Sequence, residues 1–205
     1  MSLNNNYCFK KYNLLVISPG GSCQTVIMDL ILKSNKKLKM NDINDNDNLK
    51  HLSSFENSVF NSNEFEKVLY VYRHPLLVVN SHFRRNWYKM QYKKISTFSD
   101  YNEEHLFNNK DEFFNKCLEE NKDIFNTTEH LSNWIKYPGE IYFININKIN
   151  KEELFEFLGF EIYNLNKIDV NKMNKYESKK EVIDLFEKIH NENLIKIENK
   201  NKNYK

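Results

Sequence analysis

The sequence predicts an α/β fold, a mainly parallel central sheet with helices on both faces, and three observations lead there. Two short apolar runs, Leu14–Ser18 (LLVIS) and Val68–Tyr72 (VLYVY), are each followed by a turn and a helical pattern. A third run, Glu140–Ile146 (EIYFINI), follows the breaker Pro138-Gly139 and precedes the helical stretch KEELFEFLGF. Strand and helix patterns that alternate along a chain build parallel sheets with helical crossovers. The chain has 205 residues, 40% of them hydrophobic. That is enough for one substantial core, so a single domain spanning residues 1–205 is expected.

Taken in order, Leu14–Ser18 reads as a buried strand, Pro19–Thr25 as a glycine turn and Val26–Leu32 as a helix. A polar loop, Asn35–Asn48, leads to a short helix expected around Phe55–Phe65 and then to the strand that ends at Arg73. Pro75 suits the first turn of a helix, where its missing N–H costs nothing. That helix is expected to bury Leu76, Val79, Phe83 and Trp87, at spacings near 3.6. Tyr92–Phe107, mixed polar and aromatic, fits a mobile lid, and Asp111–Ile135 reads as helical. After the third strand comes a helix over Glu152–Leu158 closed by Gly159. The last helix begins near Ser178, which has capping-box spacing to Glu181, and a frayed tail is expected over about 198–205.

Two stretches carry the chemistry. Gly20, Gly21, Ser22, Cys23, Gln24 and Thr25 lie between a strand and a helix, the arrangement of an anion cradle. Adjacent glycines allow positive φ and close backbone approach, and the N–H groups of a helix start face whatever fills the loop. The plainer reading is an ordinary tight turn. Arg73 stands at the carboxyl end of a strand, where open α/β sheets place ligands, and its planar fork suits a bidentate phosphate grip. Ser81 adds a hydroxyl from the following helix. The plainer reading makes Arg73 a structural ion-pair partner.

The stretch KVLYVYRHPLLVVNSHFRRNW, Lys67–Trp87, resembles sulfotransferases that use 3′-phosphoadenosine 5′-phosphosulfate (PAPS). In that family a strand ends in arginine, Asp/Asn-Pro follows, and a helix containing Val-Val carries a serine eight residues after the arginine. Arg73, Pro75, Val78-Val79 and Ser81 fall in that register. The resemblance implies that Arg73 and Ser81 hold the donor's 3′-phosphate, and that Pro19–Thr25 takes its 5′-phosphosulfate. It also implies a three-layer sandwich of the P-loop NTPase type. Lys50-His51-Leu52 is similar to the family's Lys-x-His-Leu segment and stands 22 residues before Arg73. By that likeness His51 is the general base and Lys50 a second catalytic residue. A histidine titrates close to neutrality, which suits removal of an acceptor's proton. The chain departs from the family where Gly20 replaces a lysine or arginine and Thr25 a tryptophan.

The resemblance implies sulfuryl transfer from PAPS to a hydroxyl or amine on a small-molecule, glycan or peptide acceptor, with no metal. Two alternatives stay open: a catalytically impaired relative that binds PAPS or its desulfated product, and a P-loop nucleotide kinase. Against the kinase, the loop lacks the Gly-Lys-Ser/Thr ending that grips phosphates and magnesium. A formal charge of +2 and dispersed basic residues give no nucleic-acid arm. Cys8, Cys23 and Cys117 lack metal-ligand spacing and suit a reducing compartment. No apolar segment reads as a signal peptide or membrane span, so the expectation is a cytoplasmic protein with no membrane partner.

Overall fold

The computed structural model describes residues 12–96, 101–168 and 179–202. Strands β1 (Tyr12–Ile17), β2 (Phe65–Tyr72) and β3 (Ile141–Asn145) form a wholly parallel sheet in the order β1-β2-β3. The helices are α1 (Gln24–Ser34), α2 (Pro75–Arg84), α3 (Tyr88–Ile95), α4 (Lys110–Glu120), α5 (Thr127–Ile135), α6 (Lys151–Leu158) and α7 (Lys180–Lys202). Val16 pairs with Leu69 and Leu69 with Tyr142, so side chains of one parity share a face across all three strands. Leu14, Val16, Leu69, Val71 and Ile144 pack with Ile27, Met28 and Ile31 of α1 and Leu154 of α6. Leu15, Ile17, Val68, Tyr70 and Phe143 face the other way, onto Leu131 and Trp134 of α5 and Ile197 of α7. Helices thus cover both faces, and each fully buried side chain of this kind contributes about 1.5–3 kcal/mol.

A third core lies beyond the sheet, where α2, α3, α4 and α7 meet. It is rich in aromatics, with Tyr88, Tyr92, Phe113, Phe114, Phe125 and Phe186 around Leu76 and Val79. Tyr92 is fully buried there, with Tyr101 and Phe107 packed against the same cluster. These residues are core, which corrects the expectation of a lid beginning at Tyr92; Phe98 lies outside the described residues.

Other boundaries also differ. Residues 55–59 form turns, the short helix expected there is a single 3-10 turn at Ser62–Glu64, and Phe65 already belongs to β2. Helix α2 stops at Arg84 because Asn86 is left-handed (φ 56°), which leaves Trp87 47% exposed instead of buried. The long helix expected over Asp111–Ile135 is two helices, α4 and α5, separated at left-handed Asn121 and Asn126. Gly159 closes α6 with φ 77°, as expected. Ser178 lies outside the described residues. The tail expected to fray from 198 is instead helical through Lys202, because Asn201 bonds the Phe143 amide (3.2 Å) and carbonyl (3.1 Å), and Lys200 donates to the Tyr137 carbonyl. Among the described residues no helix is long and apolar enough to cross a membrane.

The α4–α5 junction is held by one carboxylate. Asp123, 7% exposed, accepts from the amides of Phe125 (3.0 Å), Thr127 (2.9 Å) and Thr128 (3.4 Å) and from the Thr127 hydroxyl. It satisfies the open N–H groups of the first turn of α5. Asp123→Ala leaves those donors buried without an acceptor, and the expected loss is about 2–4 kcal/mol in urea unfolding. Asp123→Asn, which keeps one carbonyl oxygen, should lose less. An unchanged midpoint in the alanine variant contradicts this account.

Candidate functional site

The chain leaves β1 into a loop whose own side chains brace it. Ser18 donates to Gln24 Oε1 (2.7 Å) and accepts from the Gly20 amide (3.0 Å). Gln24 Nε2 donates to the carbonyls of Val16 (2.7 Å) and Lys50 (3.1 Å), and the Ser22 hydroxyl to that of Gly20. The side chains of Ser22 and Gln24 therefore shape the loop, which leaves its backbone amides to face a ligand. Gly20, Gly21 and Cys23 all have positive φ, at 81°, 63° and 61°. Among the described residues, the amides of Gly21, Ser22, Gln24 and Thr25 have no acceptor. Open amides at the start of a helix of this length are the kind of group that an anion could meet.

A cleft of about 340 Å³ opens beside this loop. Gly20, Gly21, Cys23, Gln24 and Thr25 form one wall, Lys50 and His51 a second, and His82, Arg85 and Gln91 a third. The Lys50 ammonium donates to Thr25 Oγ1 and the Ile43 carbonyl, both at 2.7 Å, which leaves one of its three donors. Burial lowers its pKa, opposed by Asp45 and Asp42. His51 Nδ1 lies 3.0 Å from the Ser18 carbonyl. A carbonyl only accepts, so this contact assigns the proton to Nδ1 and the lone pair to Nε2. Burial pushes the His51 pKa down to about 4, so the ring is neutral at pH 7 but a weaker base than the histidine titrating near neutrality that the sequence led us to expect.

Arg73 and Ser81 are only 5% and 7% exposed and do not line this cleft. Arg73 instead reaches the loop from the end of β2 and donates through Nη1 to the Gly21 carbonyl at 3.3 Å. Its electrostatic neighbours include Cys23, Arg84 and Arg85. Burial raises the Cys23 thiol pKa, with Arg73 and Arg85 opposing. That fits a loop residue and not a nucleophile. The structure therefore brings Gly20–Thr25, Lys50, His51 and Arg73 together around one loop, with Ser81 on the adjoining helix.

His82, which no motif marks, also belongs to the site. It is 1% exposed, lies against Phe125 at 5.1 Å between ring centroids, and lines the cleft. A Cβ built on Gly20 would come within 2.9 Å of His82 Cε1 and of Gln91 Nε2, and one on Gly21 within 3.2 Å of His82 Nε2. The glycines are required both by φ and by this imidazole. The available signal was helical spacing: Val78 and His82 share a side of α2, and the Val78 carbonyl and His82 both face Gly21. Among the described residues, no group of three or more His, Cys, Asp or Glu is placed to hold a metal ion. No protein-family model, curated protein or solved structure matches this chain.

Proposed function

We propose that this chain is a sulfotransferase-like protein that binds PAPS and moves its sulfuryl group to a hydroxyl or amine of a small-molecule, glycan or peptide acceptor. One observation carries the reading: three stretches resembling that family, far apart in sequence, converge on a single loop. Arg73 bonds Gly21, Lys50 bonds Thr25 and His51 bonds Ser18. A P-loop-NTPase-like three-layer sandwich belongs to the same reading, supported by parallel strands, a glycine loop between β1 and α1, and helices over both faces.

In this reading the open loop amides hold the 5′ end of the nucleotide, and Arg73 with Ser81 hold its 3′-phosphate. PAPS supplies an activated sulfuryl group. The chain's part is orientation, charge stabilisation and acceptance of one proton. His51 Nε2 carries the lone pair that accepts the acceptor's proton, and the remaining donor of Lys50 faces developing negative charge. No metal has a role. A specific observation also favours a second reading, binding without turnover: position 20 has no room for the family's loop cation.

Calorimetry with adenosine 3′,5′-bisphosphate and with ATP plus magnesium separates these readings from a kinase. The bisphosphate is expected to bind more tightly. Arg73→Ala should weaken it about 10- to 100-fold while the melting temperature shows a folded protein. Equal or tighter binding of magnesium ATP, or an unchanged affinity in the variant, overturns the proposal. Mass spectrometry of acceptors incubated with PAPS then distinguishes turnover from binding alone.

A further inference from the structure

We infer that His82 contacts the bound oxyanion group and, taking up a proton as the anion arrives, supplies the positive charge that a side chain at position 20 does not. This rests on the proposal that the loop binds a phosphoryl or sulfuryl group of a nucleotide. It adds a residue that neither the loop motif nor the arginine strand identifies.

The first argument is steric. The imidazole lies where a side chain on Gly20 would begin, 2.9 Å from that virtual Cβ. A group growing from α2 thus occupies the space that a group growing from the loop would need. The second is polar accounting. His82 is 1% exposed, and neither ring nitrogen has a hydrogen-bond partner, although the Pro19 and Gly20 carbonyls lie close enough to favour a ring proton. A buried imidazole without partners is costly unless something else satisfies it. Here the open side is the cleft, beside amides that are themselves open.

The third is electrostatic. The ring is held neutral, its pKa pushed down to about 3, first by burial and then by His51 and Arg85. The other charged groups lining the cleft are Lys50, Lys94 and Asp45, with Cys23 in the loop. Asp45 is already engaged by Lys94 at 2.6 Å and by the Lys50 amide. The cleft therefore carries an excess of cationic groups that an anion would neutralise. One negative charge about 4 Å away raises a histidine by about three pH units at an effective dielectric constant near 20. One such charge brings His82 to about 6, and a second charge farther off carries it toward neutrality.

The test measures proton uptake on binding, by calorimetry in buffers of different ionisation enthalpy at pH 6 to 8, with inorganic pyrophosphate and with adenosine 3′,5′-bisphosphate. Wild-type protein is expected to take up about one proton per ligand at pH 6, corrected for the ligand's own titration. His51→Asn should retain that uptake. His82→Gln should lose it and bind about ten-fold more weakly at pH 6, with a smaller difference at pH 8. In wild-type protein labelled at histidine, the His82 resonances should move to the imidazolium position on binding, which needs no variant. Bisphosphate binding without proton uptake, or with uptake lost in His51→Asn and kept in His82→Gln, overturns the inference and leaves the nucleotide reading standing. His82-dependent uptake with pyrophosphate, but no preference for the bisphosphate, supports the inference and sinks that reading. Failure of both probes to bind at millimolar concentration overturns both.

Discussion

Lowering the pH from 7 to 5 is expected to destabilise this protein strongly. Five histidines are held neutral, with pKa values pushed down to about 4 for His51, His74 and His190 and to about 3 for His82 and His130. Burial is the first cause in every case. An unfolded histidine titrates near 6.5, so between pH 6.5 and about 4 the unfolded chain binds protons that the folded chain refuses. Stability is therefore complete above that window and lost as the pH falls through it. Each of the two rings that are 1% exposed, His82 and His130, costs about 1.4 kcal/mol per pH unit, or together about 4 kcal/mol at pH 5. Domains have about 5–15 kcal/mol in total. His51, His74 and His190 act with the same sign, the last two with ring centroids 4.4 Å apart beside Glu187. Urea midpoints followed by circular dichroism should fall steeply from pH 7 to 5. A flat profile would mean that these rings are not held neutral.

Gly20→Lys, which installs the cation usual in the resembling family, is expected to destabilise the protein and not to activate it. A residue with a Cβ at φ 81° costs about 1–2 kcal/mol in backbone strain. Its Cβ would also lie 2.9 Å from both His82 and Gln91, whose side chains are buried, and overpacking of that kind costs about 1–3 kcal/mol. The expected total is about 2–5 kcal/mol, read as a lower melting temperature, with weaker binding of adenosine 3′,5′-bisphosphate. Gly20→Ala should show most of the same loss, because the clash begins at Cβ. A lysine variant as stable as the parent with new sulfuryl-transfer activity would refute the steric account.

The strands were legible because they are buried on both faces, so LLVIS, VLYVY and EIYFINI stand out as apolar runs without needing alternation. The ends of helices were harder to read, and asparagine is the reason. Asn86, Asn121 and Asn126 adopt left-handed backbone and interrupt what periodicity reads as continuous helix. In a chain where asparagine is scattered everywhere, the residues that act as turns look no different from those that do not. The site divides in the same way. Gly20, Gly21, Lys50, His51 and Arg73 carry a pattern in sequence, and the structure gathers them. The bracing by Ser18, Ser22 and Gln24 and the burial of His82 come from tertiary contacts, as when Gln24 bonds Val16 and Lys50 at once.

The pairing of Asn201 with Phe143 bears on what can add to the edge of the sheet. Strand β3 ends the described sheet, and an unpaired strand edge is a template for association between chains. A carboxamide offers one donor and one acceptor in the same spacing sense as a peptide group. By meeting both the amide and the carbonyl of Phe143, Asn201 imitates one residue of a neighbouring strand. An incoming chain would have to displace this covalently tethered substitute before it could extend the ladder there.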